Sequence, residues 1–276
     1  MASQQQLANS AFFHELSIAC LAAREAGAIA RQMQAGIEPT AKADGSPVTP
    51  GDLAADAVIR HHLTTHFPAD AILSEEATDD PRRLANRRVW IIDPIDGTKD
   101  YVAGGAGWAV QIALAVDGRI ALGVLEMPGH GTQLAGVPGA GATIVDADGA
   151  RALVPVHRAG TTLIVSSSAR NAEALLRIRA ALPEFAVTTC TSVGVKVFHI
   201  LRGDADLYVH ARRINEWDVA APAAVLAAAG GTATGFDGAE LLYNTPDGLC
   251  PGLLFSSRAD HPQVARRLGD AGMRVP

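Results

Sequence analysis

The stretch Val89-Trp90-Ile91-Ile92-Asp93-Pro94-Ile95-Asp96-Gly97-Thr98 decides how this chain is read. Its four leading apolar residues read as a buried strand. Asp93 then falls at the strand's carboxyl end, where α/β sheets tend to place ligands. Two acids three apart in a turn can share a cation. The Gly-Thr step that follows can offer backbone N–H groups to an anion. Metal and phosphate together are what the segment suggests.

Working outward, Leu73-Ser74-Glu75-Glu76 lies upstream, a short apolar run (71–73) ending in paired acids. Downstream lies Glu216-Trp217-Asp218-Val219-Ala220-Ala221-Pro222, followed by an Ala-rich stretch and Gly230-Gly231. The acids of these segments, Glu75 or Glu76 with Asp93, Asp96 and Asp218, offer only oxygen donors, and none of the nine histidines lies within a few residues of them. That set favours Mg²⁺ or Mn²⁺ over Zn²⁺. Carboxylates so crowded repel one another, so such a site should be stable mainly with cations bound.

With 276 residues and an apolar fraction of 48%, the chain can bury an ample core as one large domain or two tightly joined ones. A net charge of −6 leaves no basic footprint for a nucleic-acid polymer, and 5% aromatics argues against a stacking platform. Cys20, Cys190 and Cys250 are odd in number and widely spaced, which suits a reducing cytoplasm. No apolar run reaches membrane-spanning length, and residues 1–10 are polar and unlike a secretory signal.

Apolar residues at alternating steps of three and four predict a helix over about 11–35, and a second over about 52–67. A Pro/Gly-rich loop joins them. Strands are expected at 71–74, 89–93, 109–116 and 119–125, with Asp117-Gly118 as a two-residue hairpin turn. Further on, strands at 162–166, 186–190 and 206–210 alternate with helices at 171–182, 193–201 and 216–229. The expected fold class is α/β, an α+β half (1–156) followed by an α/β half (157–276). The first half would carry most metal ligands, the second Asp218 and the residues that choose the substrate.

Together, the acidic pair, D-P-[IL]-D-G-T and W-D-x-A with its helix to Gly-Gly resemble the inositol-monophosphatase superfamily of metal-dependent, lithium-sensitive phosphatases. Lys42-Ala43-Asp44-Gly45-Ser46-Pro47-Val48-Thr49-Pro50-Gly51-Asp52 looks like its CysQ-type 3′(2′),5′-bisphosphate nucleotidase branch. The resemblance implies a layered α-β-α-β-α sandwich with the metal site between the halves. It implies one metal on Glu75, Asp93 and the Ile95 carbonyl, and a second on Asp93, Asp96 and Asp218. It also selects Glu75 over Glu76. About two to three Mg²⁺ ions per site, or Mn²⁺, would serve hydrolysis of a phosphate monoester. Asp52 would take a proton through Thr98, beside Glu75, while Gly97 and Thr98 hold phosphate oxygens. Structure alone offers other readings. Asp52 is a natural helix N-cap, Asp218 suits a helix dipole, and Asp79-Asp80 with Glu76 suits a solvated face. Trp217 suits a core anchor, and His199 and His210 suit structural roles.

Substrate choice is less sharply written. Inositol monophosphatases carry a Glu seven residues before the W-D aspartate, where this chain has Ala211. Arg212 and Arg213 beside it suit phosphate, Ser192 and Lys196 match a segment that lies near the second phosphate in the nucleotidase branch, and Lys42 and Asp218 are further candidates for substrate binding. A solvated surface position is the other reading for Ser192, Lys196 and the arginines. The leading expectation is a cytoplasmic phosphatase for 3′-phosphoadenosine 5′-phosphate, as in sulfate-assimilation housekeeping. An inositol 1-phosphate or fructose 1,6-bisphosphate phosphatase is the alternative. A phosphatase-like protein acting through a protein partner is the reading from another class. The resemblance also implies a homodimer.

Overall fold

A computed structural model describes residues 2–41, 47–156, 160–166 and 172–273. The first half contains helices α1 (Ala2–Ala8), α2 (Phe13–Met33), α3 (Pro50–His66) and α4 (Thr98–Val102). Its strands are β1 (Thr40–Ala41), β2 (Pro47–Val48), β3 (Ala71–Ser74), β4 (Arg88–Asp96), β5 (Ala109–Val116), β6 (Arg119–Met127), β7 (Thr132–Val137), β8 (Gly141–Asp146) and β9 (Gly149–Ala152). The remainder contains β10 (Thr162–Ser166), β11 (Ala186–Cys190), β12 (Leu207–His210), β13 (Ile214–Asn215), β14 (Thr232–Gly235), β15 (Leu249–Cys250) and β16 (Leu253–Ser256). Its helices are α5 (Ala172–Ala181), α6 (Val193–Arg202), α7 (Glu216–Ala228) and α8 (His261–Asp270).

Seven strands in the order β3-β4-β5-β6-β7-β8-β9 form the larger sheet, and β11-β10-β12-β16-β14 form the smaller. Within the larger sheet only β3 and β4 run parallel. Alternation along the strands sorts side chains to opposite faces. Trp90, Ile92, Ile112, Leu114 and Val124 pack on Ala19, Ala23, Ala26, Ala55 and Ile59 of α2 and α3. Val89, Ile91, Ala113 and Leu125 join a central core with Val197, Ile200, Val219 and Val225 of α6 and α7, and with Ile164, Tyr208 and Phe255 of the smaller sheet. That sheet's outer face, Leu163, Val165, Leu207 and Leu254, is covered by Ile178 of α5 and by Val264 and Leu268 of α8. The layers are therefore helix, sheet, helix, sheet, helix, and α7 lies in the middle one.

Alanines let α7 approach the sheet closely: a Cβ on Gly123 would stand 2.6 Å from the Ala221 carbonyl oxygen. Asp117 and Gly118 both take positive φ, 51° and 75°, as the expected hairpin turn requires. The strands at 71–74, 109–116, 162–166 and 186–190 match expectation. Absent from the sequence reading were α1, α8 and the strands β14 to β16, whose short runs carry little periodicity. No helix among the described residues is long and apolar enough to cross a membrane.

Candidate active site

Asp93 and Asp96 do not lie in a turn after the strand, as their Pro and Gly neighbours suggest; both are inside β4. Asp93 pairs with Gln111 and Asp96 with Ala109, so β4 carries one extra residue between them. Residues three apart in a regular strand face opposite ways. The bulge resets that alternation. Ile95 turns to the α2/α3 core, and Asp96 joins Asp93 on the face towards α6 and α7. Pro94, with no N–H to offer a ladder, is compatible with this break.

Glu75 arrives from the neighbouring strand. Ser74 pairs in parallel with Ile92, and the Glu75 N–H donates to the Ile92 carbonyl at 3.2 Å. Its carboxyl meets that of Asp93. Asp218 comes from the first turn of α7 and receives a hydrogen bond from Asn215. One carboxylate oxygen from each of Asp93, Asp96 and Asp218 lies within 4.8 Å of the others. Burial, then the charges of Glu75, Asp96 and Asp218, hold the Asp93 carboxyl well above the usual range. Burial, then Asp96 and Glu75, do the same to Asp218. Asp96 is raised chiefly by burial, against which Lys196 and hydrogen bonds from Ser192 and Gly194 work. These unneutralised oxygens suit a hard divalent cation.

Around this cluster, Asp96 Oδ2 accepts hydrogen bonds from Gln111 Nε2, from Ser192 Oγ at 2.6 Å and from the Gly194 N–H at 3.0 Å. Asp93 Oδ1 accepts from the Ile95 N–H at 3.0 Å, and the Thr98 hydroxyl donates to the Ile95 carbonyl at 3.1 Å. Gly97, at φ 97°, starts α4. A Cβ there would stand 2.8 Å from the Gly107 carbonyl oxygen.

Two sequence expectations need correction here. Thr49, not Asp52, caps α3, and the helix begins two residues earlier than expected. Asp52 is the third helical residue and completes a capping box, its Oδ2 accepting from Thr49 N at 2.8 Å and Thr49 Oγ1 at 2.6 Å. Its hydroxyl partner is thus Thr49 rather than Thr98. Burial raises the Asp52 carboxyl, and the nearby Glu75 charge adds to that. Secondly, Ser192 and Lys196 are not surface residues: both are fully buried. Ser192 caps α6, and Lys196 Nζ donates to the Thr191 carbonyl at 2.6 Å, over the Tyr208 ring. Asp79 is exposed, as expected of an acidic face, and there it binds the buried Arg83, which also donates to Asn244 and to the Thr245 carbonyl.

Arg212 and Arg213 are exposed, and Arg213 pairs with Asp247. Trp217 is partly buried against the central core. Lys42 lies outside the described residues. Residues missed by the sequence reading include Gln111, Glu216 and Asp100. Glu216 is buried and accepts from the Asn244 and Thr245 N–H groups, each at 2.7 Å, fixing the loop beside Asp218. Asp100 accepts from Thr191 Oγ1 at 2.8 Å and ties α4 to the approach of α6. Gln111 had a signal, the one polar residue in an eight-residue apolar strand.

A model of the inositol monophosphatase family matches residues 14–272. The chain belongs to this family. It is 38% identical over 223 residues to a 3'-phosphoadenosine 5'-phosphate phosphatase of Mycobacterium bovis, covering 80% of this chain and 81% of that one. To the 3'(2'),5'-bisphosphate nucleotidase CysQ of Shigella flexneri it is 34% identical over 246 residues, 86% of this chain and 97% of the relative. An inositol monophosphatase structure from Anabaena superposes with a TM-score of 0.76 at 26% identity, covering 95% of this chain and 97% of that one. As the layering indicates, this chain has the α/β fold of inositol monophosphatases.

Proposed function

We propose that this chain is a Mg²⁺-dependent phosphomonoesterase that hydrolyses the 3'-phosphate of 3'-phosphoadenosine 5'-phosphate. One observation carries the reading: three carboxylates converge within 4.8 Å on a chain 38% identical to a phosphatase named for that substrate. The Ala211 side chain, where an inositol phosphatase would place a Glu, adds to it.

Glu75, Asp93, Asp96 and Asp218, with the Ile95 carbonyl, would hold Mg²⁺, with Mn²⁺ as a substitute. Bound there, such ions neutralise the phosphate and lower the pKa of the attacking water. The chain's own residues do the rest. The Gly97 and Thr98 N–H groups at the start of α4 hold phosphate oxygens. The Thr98 hydroxyl orients the nucleophilic water, and Asp52, whose raised carboxyl sits near Glu75, receives the proton. Arg212, which is exposed, and Lys42 select the second phosphate. Lys196 fixes charge behind Asp96. In this reading residues 1–156 carry most cation ligands, and 157–276 supply Asp218 and the groups that choose the substrate. The enzyme acts in the cytoplasm as a homodimer in sulfate assimilation and is inhibited by Li⁺.

The test is phosphate release with Mg²⁺ from the nucleotide, inositol 1-phosphate and fructose 1,6-bisphosphate, with and without Li⁺. Preference for the nucleotide and loss of rate in ~10 mM Li⁺, a small hard cation able to enter an all-oxygen site, are expected. Preference for either sugar phosphate would overturn the substrate.

A further inference from the structure

Strand β5 is apolar along its length except at Gln111, which is fully buried. Gln111 is the register partner of Asp93, so both side chains leave the sheet on the same face. Its Nε2 donates to Asp96 Oδ2. Its Oε1 is buried and accepts no hydrogen bond from any described residue. A buried amide oxygen ordinarily has a donor. The side chain borders the cluster of Asp93, Asp96 and Asp218 through Asp96, and ionised carboxylates there can only accept. A water held by a cation is a strong donor and would satisfy it.

The second consequence concerns Asp96. With Oδ2 held by Gln111, Ser192 and Gly194, and the Val193 N–H also donating to this carboxylate, Asp96 is locked in one orientation towards the cluster. Residues that orient a ligating carboxylate in this way set metal affinity nearly as firmly as the ligands do.

We propose that Gln111 is a positioning residue of the cation site: its Nε2 fixes Asp96, and its Oε1 accepts a hydrogen bond from a water in the cation's coordination shell. This rests on reading the acidic cluster as a divalent-cation centre. A pure packing role would be filled as well by methionine, which matches Gln111 in length and has neither group.

The test is Mn²⁺ binding by calorimetry on the metal-stripped full-length protein, without substrate, for wild type and Gln111→Met. Gln133→Met serves as the control. Gln133 is also buried in the larger sheet, but its Nε2 donates to Glu126 and to the Cys20 carbonyl, away from the cluster. Gln111→Met should weaken Mn²⁺ about tenfold, the lower end for loss of a residue that orients a ligand. It should raise the Mn²⁺ concentration needed for activity by the same factor, with kcat at saturating Mn²⁺ within about twofold of wild type. Gln133→Met should bind Mn²⁺ as wild type does. Should Gln111→Met fail to fold, Gln111→Asn, which keeps both groups on a shorter stem, should bind Mn²⁺ more weakly than the Gln133→Met control. Mn²⁺ affinity unchanged in the Gln111 variant, with wild type binding and active, would overturn this proposal alone. No Mn²⁺ binding by wild type would overturn it together with the cation centre.

Discussion

Asp93 and Asp96 present their carboxylates to the same face of one strand although they stand three positions apart, because β4 carries one extra residue against Gln111 and Ala109 of β5. The bulge thereby gathers like charges at the carboxyl end of an internal strand. The cluster destabilises the fold until a cation neutralises it, and that tension yields the first prediction.

Asp93→Asn should lower turnover by about 10³-fold, as expected when several kcal/mol of charge stabilisation is lost. It should also stabilise the metal-free protein. The Asp93 carboxyl is raised in the fold, so the folded state holds its proton more tightly than the unfolded chain does. Metal-free stability therefore falls as pH rises from the unfolded value through the folded one. Thermal unfolding in EDTA should show Asp93→Asn gaining about 1 kcal/mol at pH 8 and little at pH 4. An equal gain at both would contradict the cause given.

Asp52 serves both α3 and, in this account, the reaction, and the amide variant separates the two. Asp52→Asn keeps an oxygen for the Thr49 N–H and should leave stability within about 1 kcal/mol. Turnover should fall about 10²-fold, the contribution of a placed proton acceptor. Asp52→Asn with wild-type kcat would reduce Asp52 to a capping residue.

Gly97→Ala forces a side chain onto a backbone at φ 97° and into the Gly107 carbonyl. A cost of about 1–3 kcal/mol in urea unfolding is expected, with turnover reduced because Thr98 moves. Unchanged stability and rate would show that α4 tolerates a different entry.

Away from the site, Glu126 faces α2, where burial lifts its carboxyl to about 7; Gln133 Nε2 at 2.9 Å and the Arg24 charge oppose the lift. This group holds its proton more tightly in the fold than in the unfolded chain, so its cost appears as pH rises from about 4.5 to 7. Glu126→Gln should raise the melting temperature at pH 8, by about 2–4 °C for each kcal/mol. At pH 4.5 it should change little. A gain independent of pH would mean that packing, not ionisation, decides it.

Much of the site was legible in sequence because its residues sit in rare local patterns. Glu75 and Asp93 come at the end of apolar runs that read as strands and Asp218 opens a helix, and the structure gathers them. The bulge was not legible, since Asp-Pro and Asp-Gly steps are ordinary turn chemistry and give no hint that pairing resumes at Asp96. Capping of α3 was misassigned because Thr49 and Asp52 are both good caps, and only the backbone shows which lies outside the helix. For Ser192 and Lys196 the sequence left a solvated surface position as open as a substrate contact, and neither reading foresaw full burial. The run Val193-Gly194-Val195-Lys196-Val197-Phe198 around Lys196 was the missed sign that this helix lies between two sheets. The strand order of the smaller sheet depends on β16, four residues that carry no mark of a central strand.

The most direct measurement is Mg²⁺-dependent phosphate release from 3'-phosphoadenosine 5'-phosphate, beside inositol 1-phosphate and fructose 1,6-bisphosphate, with Asp93→Asn as the blank. The account predicts release that needs the metal, strongly favours the nucleotide and vanishes in the variant. Release from the nucleotide that survives EDTA or the Asp93→Asn change, or no release from any of the three esters, would contradict it.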